Sequence, residues 1–175
     1  MTKLETCPGC QAVLPVSDGA IHRYMTSSAA CWEMFNNLND PARPLAPAPF
    51  NNLIVDAYAV QHPGTKSNQT INSVAIHLMV LYGVLEHGFE PSQALWLRQR
   101  PGRIESSKKH QRFEWLSPPS FGSSLTVADV TAGITPLERS ASLESWVKDI
   151  WRRWSEPHAS QVEEWFERYV LAEHL

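Results

Sequence analysis

The chain has 175 residues, with 43% hydrophobic and 19% charged residues and a formal net charge of -3 at pH 7. This length and apolar content suffice for one ordinary domain, and the slight acidic excess excludes a strongly basic nucleic-acid-binding protein. With three cysteines, no signal-peptide pattern in the first twenty residues and no apolar run of about 18 residues, the sequence predicts a cytoplasmic protein without membrane association.

The N-terminal segment, residues 1–40, is irregular and holds all three cysteines. We expect loops and one short strand pair around residues 11–16. A helix is predicted from about Ser28 to Leu38, because Asn39-Asp40-Pro41 then disfavours further helix. Four prolines make a stiff internal connector after it: Pro41, Pro44, Pro47 and Pro49.

Three helices are predicted between residues 50 and 99. The first stops before Pro63-Gly64, and the second begins with Ser67 or Asn68 as its N-cap and ends at Gly88. Because this second helix is apolar on nearly all sides, it belongs at the centre of the protein. The third opens at residues 90–91 and runs to about residue 99.

The C-terminal part carries three further helical patterns after residues 100–125, which show no clear period. A capping box over residues 126–129, with Asp129 in the place of Glu, starts a short helix. Thr135-Pro136 opens a longer helix that runs to about Trp154, and a last helix spans residues 162–170.

These patterns predict the fold class and the domain organisation. We expect a mainly α fold, a helical bundle-like domain with a small zinc-knuckle lobe at its N-terminus. The whole chain, residues 1–175, is interpreted as a single domain, with residues 1–40 as the zinc-binding lobe and residues 50–175 as the helical core.

The strongest local motif is the pair of cysteines in Cys7-Pro-Gly-Cys10. Two thiolates at this spacing can bind one tetrahedral ion, and His22 and Cys31 are the next Cys or His residues along the chain. The sequence therefore predicts a Zn²⁺ site formed by Cys7, Cys10, His22 and Cys31. Two alternatives remain: Cys31 is merely buried under Trp32, or the pair is a redox motif, whose usual βαβ context is missing here.

Four protein ligands would close the coordination sphere, so the predicted role of the zinc is mainly structural. The N-terminal lobe has little apolar core of its own, and a bound ion can supply its folding energy. If His22 or Cys31 proved not to be a ligand, one position would open and catalysis would become possible.

A second group of candidate residues is Asp56, His62 and His77, which could converge as metal ligands or as a general acid/base pair. The alternative is that each is a buried polar side chain with a local partner. A short loop makes the two helices antiparallel, which puts Asp56 about 9 Å and His77 roughly 14 Å from the loop end. We therefore predict that Asp56 contacts His77, with a slight preference for a structural pair.

The third group is a run of Lys and Arg residues in which Glu105 is the only acidic residue. Its members are Arg98, Arg100, Arg103, Lys108, Lys109 and Arg112. It could meet phosphates or an acidic partner. No aromatic residue lies between Arg98 and Lys109 to stack on bases, so we favour a solvated loop and expect no nucleic-acid binding.

The motifs together resemble an uncharacterised bacterial domain-of-unknown-function family, with a match from Cys7 to about Trp154. The resemblance rests on Cys-Pro-Gly-Cys, His22-x-Tyr24, Cys31-Trp32, Asp56-Ala-Tyr-Ala-Val-Gln-His-Pro63, Ser73-Val-Ala-x-His77-Leu and Trp115-Leu-x-Pro-Pro119. It implies a single domain and places all seven candidate residues at motif positions. One departure is Gln11, where we expect a small residue such as glycine.

The function predicted from the sequence is that of a zinc-binding protein with a binding or accessory role, whose partner is a small molecule or a protein. The alternative is a small metal-dependent enzyme with a site around Asp56, His62 and His77.

Overall fold

A computed structural model of the protein describes residues 3–103 and 113–172. In this part of the chain there are six α-helices and one antiparallel pair of strands, so the predicted mainly α fold with a small N-terminal lobe is confirmed. The strands are β1 (Leu4–Thr6) and β2 (Val13–Pro15), and the helices are α1 (Ala29–Asn36), α2 (Ile54–Gln61), α3 (Asn68–Leu85), α4 (Ala94–Arg103), α5 (Val127–Ala132) and α6 (Pro136–Phe166).

The strand pair forms a hairpin whose loop contains the Cys-Pro-Gly-Cys motif. Glu5 of β1 lies opposite Leu14 of β2. Leu14 is buried, whereas Leu4 and Val13 on the other face are exposed, as the alternation of side chains along a strand requires. The hairpin therefore presents the two cysteines of its loop at the edge of the helical part.

Helix α1 begins where its capping residue predicts. The Ser28 side chain accepts a hydrogen bond from the backbone N–H of Cys31 at 3.3 Å, which fixes Cys31 in the first turn. The proline connector then leads through a 3₁₀ segment, Pro49–Leu53, directly into α2. One continuous path thus carries the chain from the cysteine lobe to the helices.

Helix α3 occupies the centre of the protein, as its apolar surface predicts. It contacts α2, α4 and α6, and most of its residues from Ile71 to Leu81 are buried. The Ser67 side chain caps its first turn by accepting from the backbone N–H of Thr70 at 3.1 Å. The helices that carry the candidate residues therefore pack around a fixed central element.

The capping box of α5 is present as predicted: Asp129 accepts from the backbone N–H of Thr126, and Thr126 accepts from Ala128. The prediction of two separate C-terminal helices was wrong, because α6 runs without a break from Pro136 to Phe166 with Pro157 inside it. A proline inside a helix costs about 3 kcal/mol. Burial of large side chains on both sides of Pro157 outweighs that cost at roughly 2 kcal/mol each.

The basic run lies only partly within the described residues. Arg98 and Arg100 belong to α4, whereas Lys108, Lys109 and Arg112 lie outside the described residues. Among the helices within residues 3–103 and 113–172, none combines the length and the apolar character needed to cross a bilayer.

Candidate metal centre

Three cysteines and one histidine meet where the hairpin packs against the helices. The ligand atoms of Cys7, Cys10, Cys31 and His62 all lie within 4.8 Å of one another, and all four residues are buried. The hairpin loop supplies two of them, α1 supplies the third, and His62 is the residue that follows the last turn of α2. The group therefore joins residues that are up to 55 positions apart in the sequence.

The hairpin loop is folded tightly enough to point both thiols the same way. The backbone N–H of Gln11 donates to the carbonyl of Cys7 at 3.0 Å, and the N–H of Cys7 donates to the carbonyl of Ala12 at 2.8 Å. A side chain on Gly9 would meet the Thr26 carbonyl and the His62 ring at under 3.0 Å. Glycine is therefore required here because the loop lies directly against the histidine ligand.

The residue after the second cysteine departs from the expected small residue, and the backbone shows why glycine is expected there. Gln11 has a φ of 65°, in the left-handed region that glycine adopts most easily. Its side-chain amide donates to the carbonyl of Pro8 at 3.1 Å, which closes the loop on its outer side. Gln11 thus adopts a backbone conformation that is unfavourable for a residue with a side chain, and this conformation keeps the turn tight.

The ring of His62 is oriented by its neighbour in the same helix. Its Nδ1–H donates to the backbone carbonyl of Tyr58 at 2.9 Å. A carbonyl can only accept, so Nδ1 carries the proton and Nε2 keeps its lone pair. Nε2 lies 3.3 Å from the sulfur of Cys31. This is the tautomer that binds a metal through Nε2, with the other nitrogen held by a backbone carbonyl.

Further donors and rings surround the sulfurs. The backbone N–H of Ser28 donates to Cys7 Sγ at 3.4 Å, and the Tyr58 hydroxyl donates to Cys31 Sγ at 3.6 Å. The Tyr58 ring is stacked between His62 and Phe35, with centroid distances of 4.0 and 4.1 Å. The sulfurs therefore have both hydrogen-bond donors and a rigid apolar wall around them.

The close approach of three thiols affects their protonation. Hydrogen bonds from Cys10 and then Cys31 hold the pKa of the Cys7 thiol far below its usual value. The same contacts, with Cys10 first and Cys7 second, together with burial, raise the pKa of Cys31 far above its usual value. One negative charge is thus favoured in this buried group, and a second needs a cation to compensate it.

Two of the distances between the ligand atoms can be compared with the edges of a tetrahedral metal site. With zinc–sulfur bonds of about 2.3 Å and zinc–nitrogen bonds of about 2.0 Å, a tetrahedron has S–S edges near 3.8 Å and S–N edges near 3.5 Å. Cys10 Sγ lies 3.8 Å from Cys31 Sγ, and His62 Nε2 lies 3.3 Å from Cys31 Sγ. Two of the six donor–donor distances are therefore close to tetrahedral edges, and all six are at most 4.8 Å.

His22, predicted as the fourth ligand, is not a member of this group; His62 stands in its place. The Nδ1 atom of His22 accepts from the backbone N–H of Tyr24 at 3.2 Å, and its ring packs against Trp32 at 4.8 Å. Both histidines border one small cavity of about 60 Å³. His22 is therefore near the cluster but is held by its own turn, on the partly exposed side.

Of the three residues predicted as a second site, Asp56 and His77 do meet, whereas His62 belongs to the cysteines. His77 Nδ1–H donates to Asp56 Oδ1 at 2.7 Å, so the predicted contact between α2 and α3 is confirmed. The Asp56 side chain is fully buried, and that of His77 is 15% exposed.

Sequence reasoning missed the third member of this contact, Arg98 of α4. Its Nε and Nη2 donate to the two oxygens of Asp56 at 2.9 and 2.5 Å, and Nη2 also donates to the Asn52 carbonyl. The hydrogen bond to Asp56 raises the pKa of the Arg98 guanidinium above its usual value. Asp56 itself could have indicated such a partner, because a carboxylate buried in an apolar helix needs a cation to balance its charge.

The sequence model of DUF5946, a family of unknown function, matches residues 5–155, a range that includes every candidate residue and the basic run. No curated protein and no solved structure matches the chain.

Proposed function

For a chain that belongs to the family of unknown function DUF5946, we propose a function from the site itself: a zinc-binding protein whose Cys7, Cys10, Cys31 and His62 hold one structural Zn²⁺ ion. The observation that carries the proposal is the convergence of four buried soft donors within 4.8 Å. Three thiolates and one imidazole favour zinc over the harder divalent cations.

A structural role follows from the closed donor set. Zinc sites with four protein ligands hold structure, whereas catalytic sites keep one position for water. Here the ion would tie the hairpin loop and α1 to the end of α2, and a lobe with little apolar core needs such a link. Zinc would therefore make the N-terminal lobe and the helices one folding unit, consistent with the single domain proposed for the chain.

The remaining parts of the proposal concern role and location. With the metal closed off, the protein acts through its surface, in a binding or accessory role toward a small molecule or another protein. Three reduced thiols are needed to hold the ion, which favours the cytoplasm as its compartment. A metal-dependent enzyme that uses Asp56, His62 and His77 together finds no support, because His62 is engaged with the cysteines, whereas Asp56 is bonded to His77 and Arg98.

Two histidine variants test the ligand set. Protein purified under reducing conditions without chelator should contain about one equivalent of zinc by elemental analysis. His62→Ala should weaken zinc binding on the order of a hundredfold or more in a chelator competition, because a direct ligand is lost. His22→Ala is the matched control and should bind zinc as the wild type does. In the Co²⁺-substituted protein, only His62→Ala should change the thiolate-to-cobalt absorption.

Two results would overturn the proposal. Wild-type protein with less than about a tenth of an equivalent of zinc contradicts a structural site, since structural zinc binds at about 10 kcal/mol or more. Loss of zinc in His22→Ala, with zinc kept in His62→Ala, would restore the ligand set predicted from the sequence alone.

A further inference from the structure

Asp56, His77 and Arg98 form a second polar cluster, which the metal centre does not use. Asp56 Oδ1 accepts from both His77 Nδ1 and Arg98 Nε, and Oδ2 accepts from Arg98 Nη2. The charge of the fully buried carboxylate is thus balanced by the guanidinium in a two-pronged ion pair. His77 is therefore not needed as a cation to balance this charge.

The hydrogen bond to Asp56 determines which nitrogen of His77 is available. An ionised carboxylate only accepts hydrogen bonds, so Nδ1 carries a proton, and in the neutral imidazole Nε2 then presents a lone pair. Within residues 3–103 and 113–172, Nε2 has no hydrogen-bond partner, and it is not among the buried polar atoms that lack one. The Nε2 atom is therefore at least partly accessible to solvent, and the same reasoning applies to Nη1 of Arg98.

The charges around this imidazole favour an anionic ligand. The sequences of the three helices that meet here contain one carboxylate, that of Asp56, which is already paired. Arg98 of α4 bonds the same carboxylate oxygen as His77, so its guanidinium lies beside the imidazole, whereas Arg100 donates to the Val170 carbonyl. A guanidinium beside an oriented imidazole attracts small oxyanions.

We propose that His77 and Arg98 form a binding site for the phosphate group of a small molecule, with His77 Nε2 as its proton acceptor. A monoanionic phosphate donates its P–O–H proton to Nε2. The O–H bond breaks, its electron pair stays on the phosphate oxygen, and an N–H bond forms on the imidazole. Asp56 stabilises the resulting imidazolium through Nδ1–H, as carboxylates do for other histidines. On release the proton returns to the phosphate.

The proposal is tested on the zinc-loaded full chain with inorganic phosphate as the probe. Phosphate is added at constant ionic strength, with chloride as the compensating anion, while the imidazole C–H resonances are followed by NMR. The His77 resonance should shift in a saturable way, and His158 of α6, whose Nε2 is bonded to the Ser117 carbonyl, should not. His77→Gln should weaken phosphate binding by roughly tenfold or more, since a hydrogen bond to a charged group is lost.

Matched controls separate this site from fold effects and from the metal centre. His158→Gln should bind phosphate like the wild type, and His77→Gln should keep its zinc, although the lost hydrogen bond to the buried Asp56 lowers its thermal unfolding midpoint. A second probe, phenyl phosphate, distinguishes the source of the group: equal affinity indicates recognition of phosphate monoesters, and binding of inorganic phosphate alone indicates the free ion. If neither probe shifts His77 more than His158, or if His77→Gln binds phosphate as tightly as the wild type, the proposal is wrong.

Discussion

The two polar clusters lie at opposite ends of the same short helix and are built in opposite ways. At the C-terminal end of α2, His62 points inward to three sulfurs, and all four donors are buried. In the first turn of α2, Asp56 is equally buried, but it holds a histidine whose second nitrogen reaches solvent.

The difference shows how burial distinguishes a site that retains its ligand from a site that can exchange it. Each histidine is fixed by a hydrogen bond from its Nδ1 atom. His62 donates to the backbone carbonyl of Tyr58, and His77 donates to the carboxylate of Asp56. The free Nε2 then either completes a closed set of donors or remains open to a ligand. The metal centre is thus suited to a permanent ion, and the Asp56 cluster is suited to a ligand that comes and goes.

The largest effect is expected when the closed cluster is broken. Cys7→Ser should reduce the zinc content to less than about a tenth of an equivalent and lower the free energy of unfolding by several kcal/mol, because structural zinc supplies on the order of 10 kcal/mol. Elemental analysis and denaturant unfolding measure both quantities. Thr6→Ser, one residue earlier and exposed, is the control; a Cys7→Ser protein that keeps its zinc would remove this cysteine from the ligand set.

A smaller effect, confined to the second cluster, is expected from Asp56→Asn. The change keeps the shape of the side chain but leaves Arg98 without its counter-ion, which should cost about 3 kcal/mol of unfolding free energy. The zinc content should not change. Asp18→Asn, an exposed carboxylate of the N-terminal lobe, should be neutral in the same denaturant titration.

The double variant Asp56→Asn, Arg98→Met sharpens this prediction. Because both members of the ion pair are removed, it should be less destabilised than Asp56→Asn alone. Loss of zinc in either variant would mean that the two ends of α2 do not behave independently.

The smallest effect is expected at Gln11. Gln11→Gly relieves the left-handed backbone conformation, worth about 1 kcal/mol, but loses the amide hydrogen bond to Pro8 and gains unfolded-chain entropy. These changes oppose each other, so thermal unfolding should move by less than a few degrees with zinc retained. Gly9→Ala is the contrasting variant and should weaken zinc binding clearly, because its Cβ would collide with the His62 ring.

Much of the local structure could be predicted from the sequence, because it depends on contacts close along the chain. Ser67 caps α3 through the backbone N–H of Thr70, and Thr126 forms a capping box with Asp129. In both cases the partner lies three residues further along the chain. Even the contact between Asp56 and His77 follows from one short loop and the rise of a helix.

The fourth member of the cysteine group could not be found by distance along the sequence. His22 is nearer to the cysteines in the chain, but it lies in a polar turn and remains partly exposed. His62 follows a buried helix and is itself fully buried. A donor in a closed site has to be buried, so the apolar residues from Ala57 to Val60 were the signal that favoured His62.

The single α6 could not be predicted for a related reason. Helix propensity alone predicts a break at Pro157. The buried residues on either side of it, such as Trp154 and Val162, stabilise the continuous helix only through packing in the complete fold. The pairing of Asp56 with Arg98 likewise joins residues 42 positions apart.

The order of the metal-site residues along the chain has a consequence for the kinetics of folding. Cys7, Cys10 and Cys31 are synthesised before His62, and they lie within a span of 25 residues that a nascent chain can close quickly. The three thiols can therefore meet before α2 is formed, and they would already offer three donors to an ion. Docking of α2 would bring Nε2 of His62 to them as the fourth donor, so that completing the cluster and joining the helices to the hairpin would be one event.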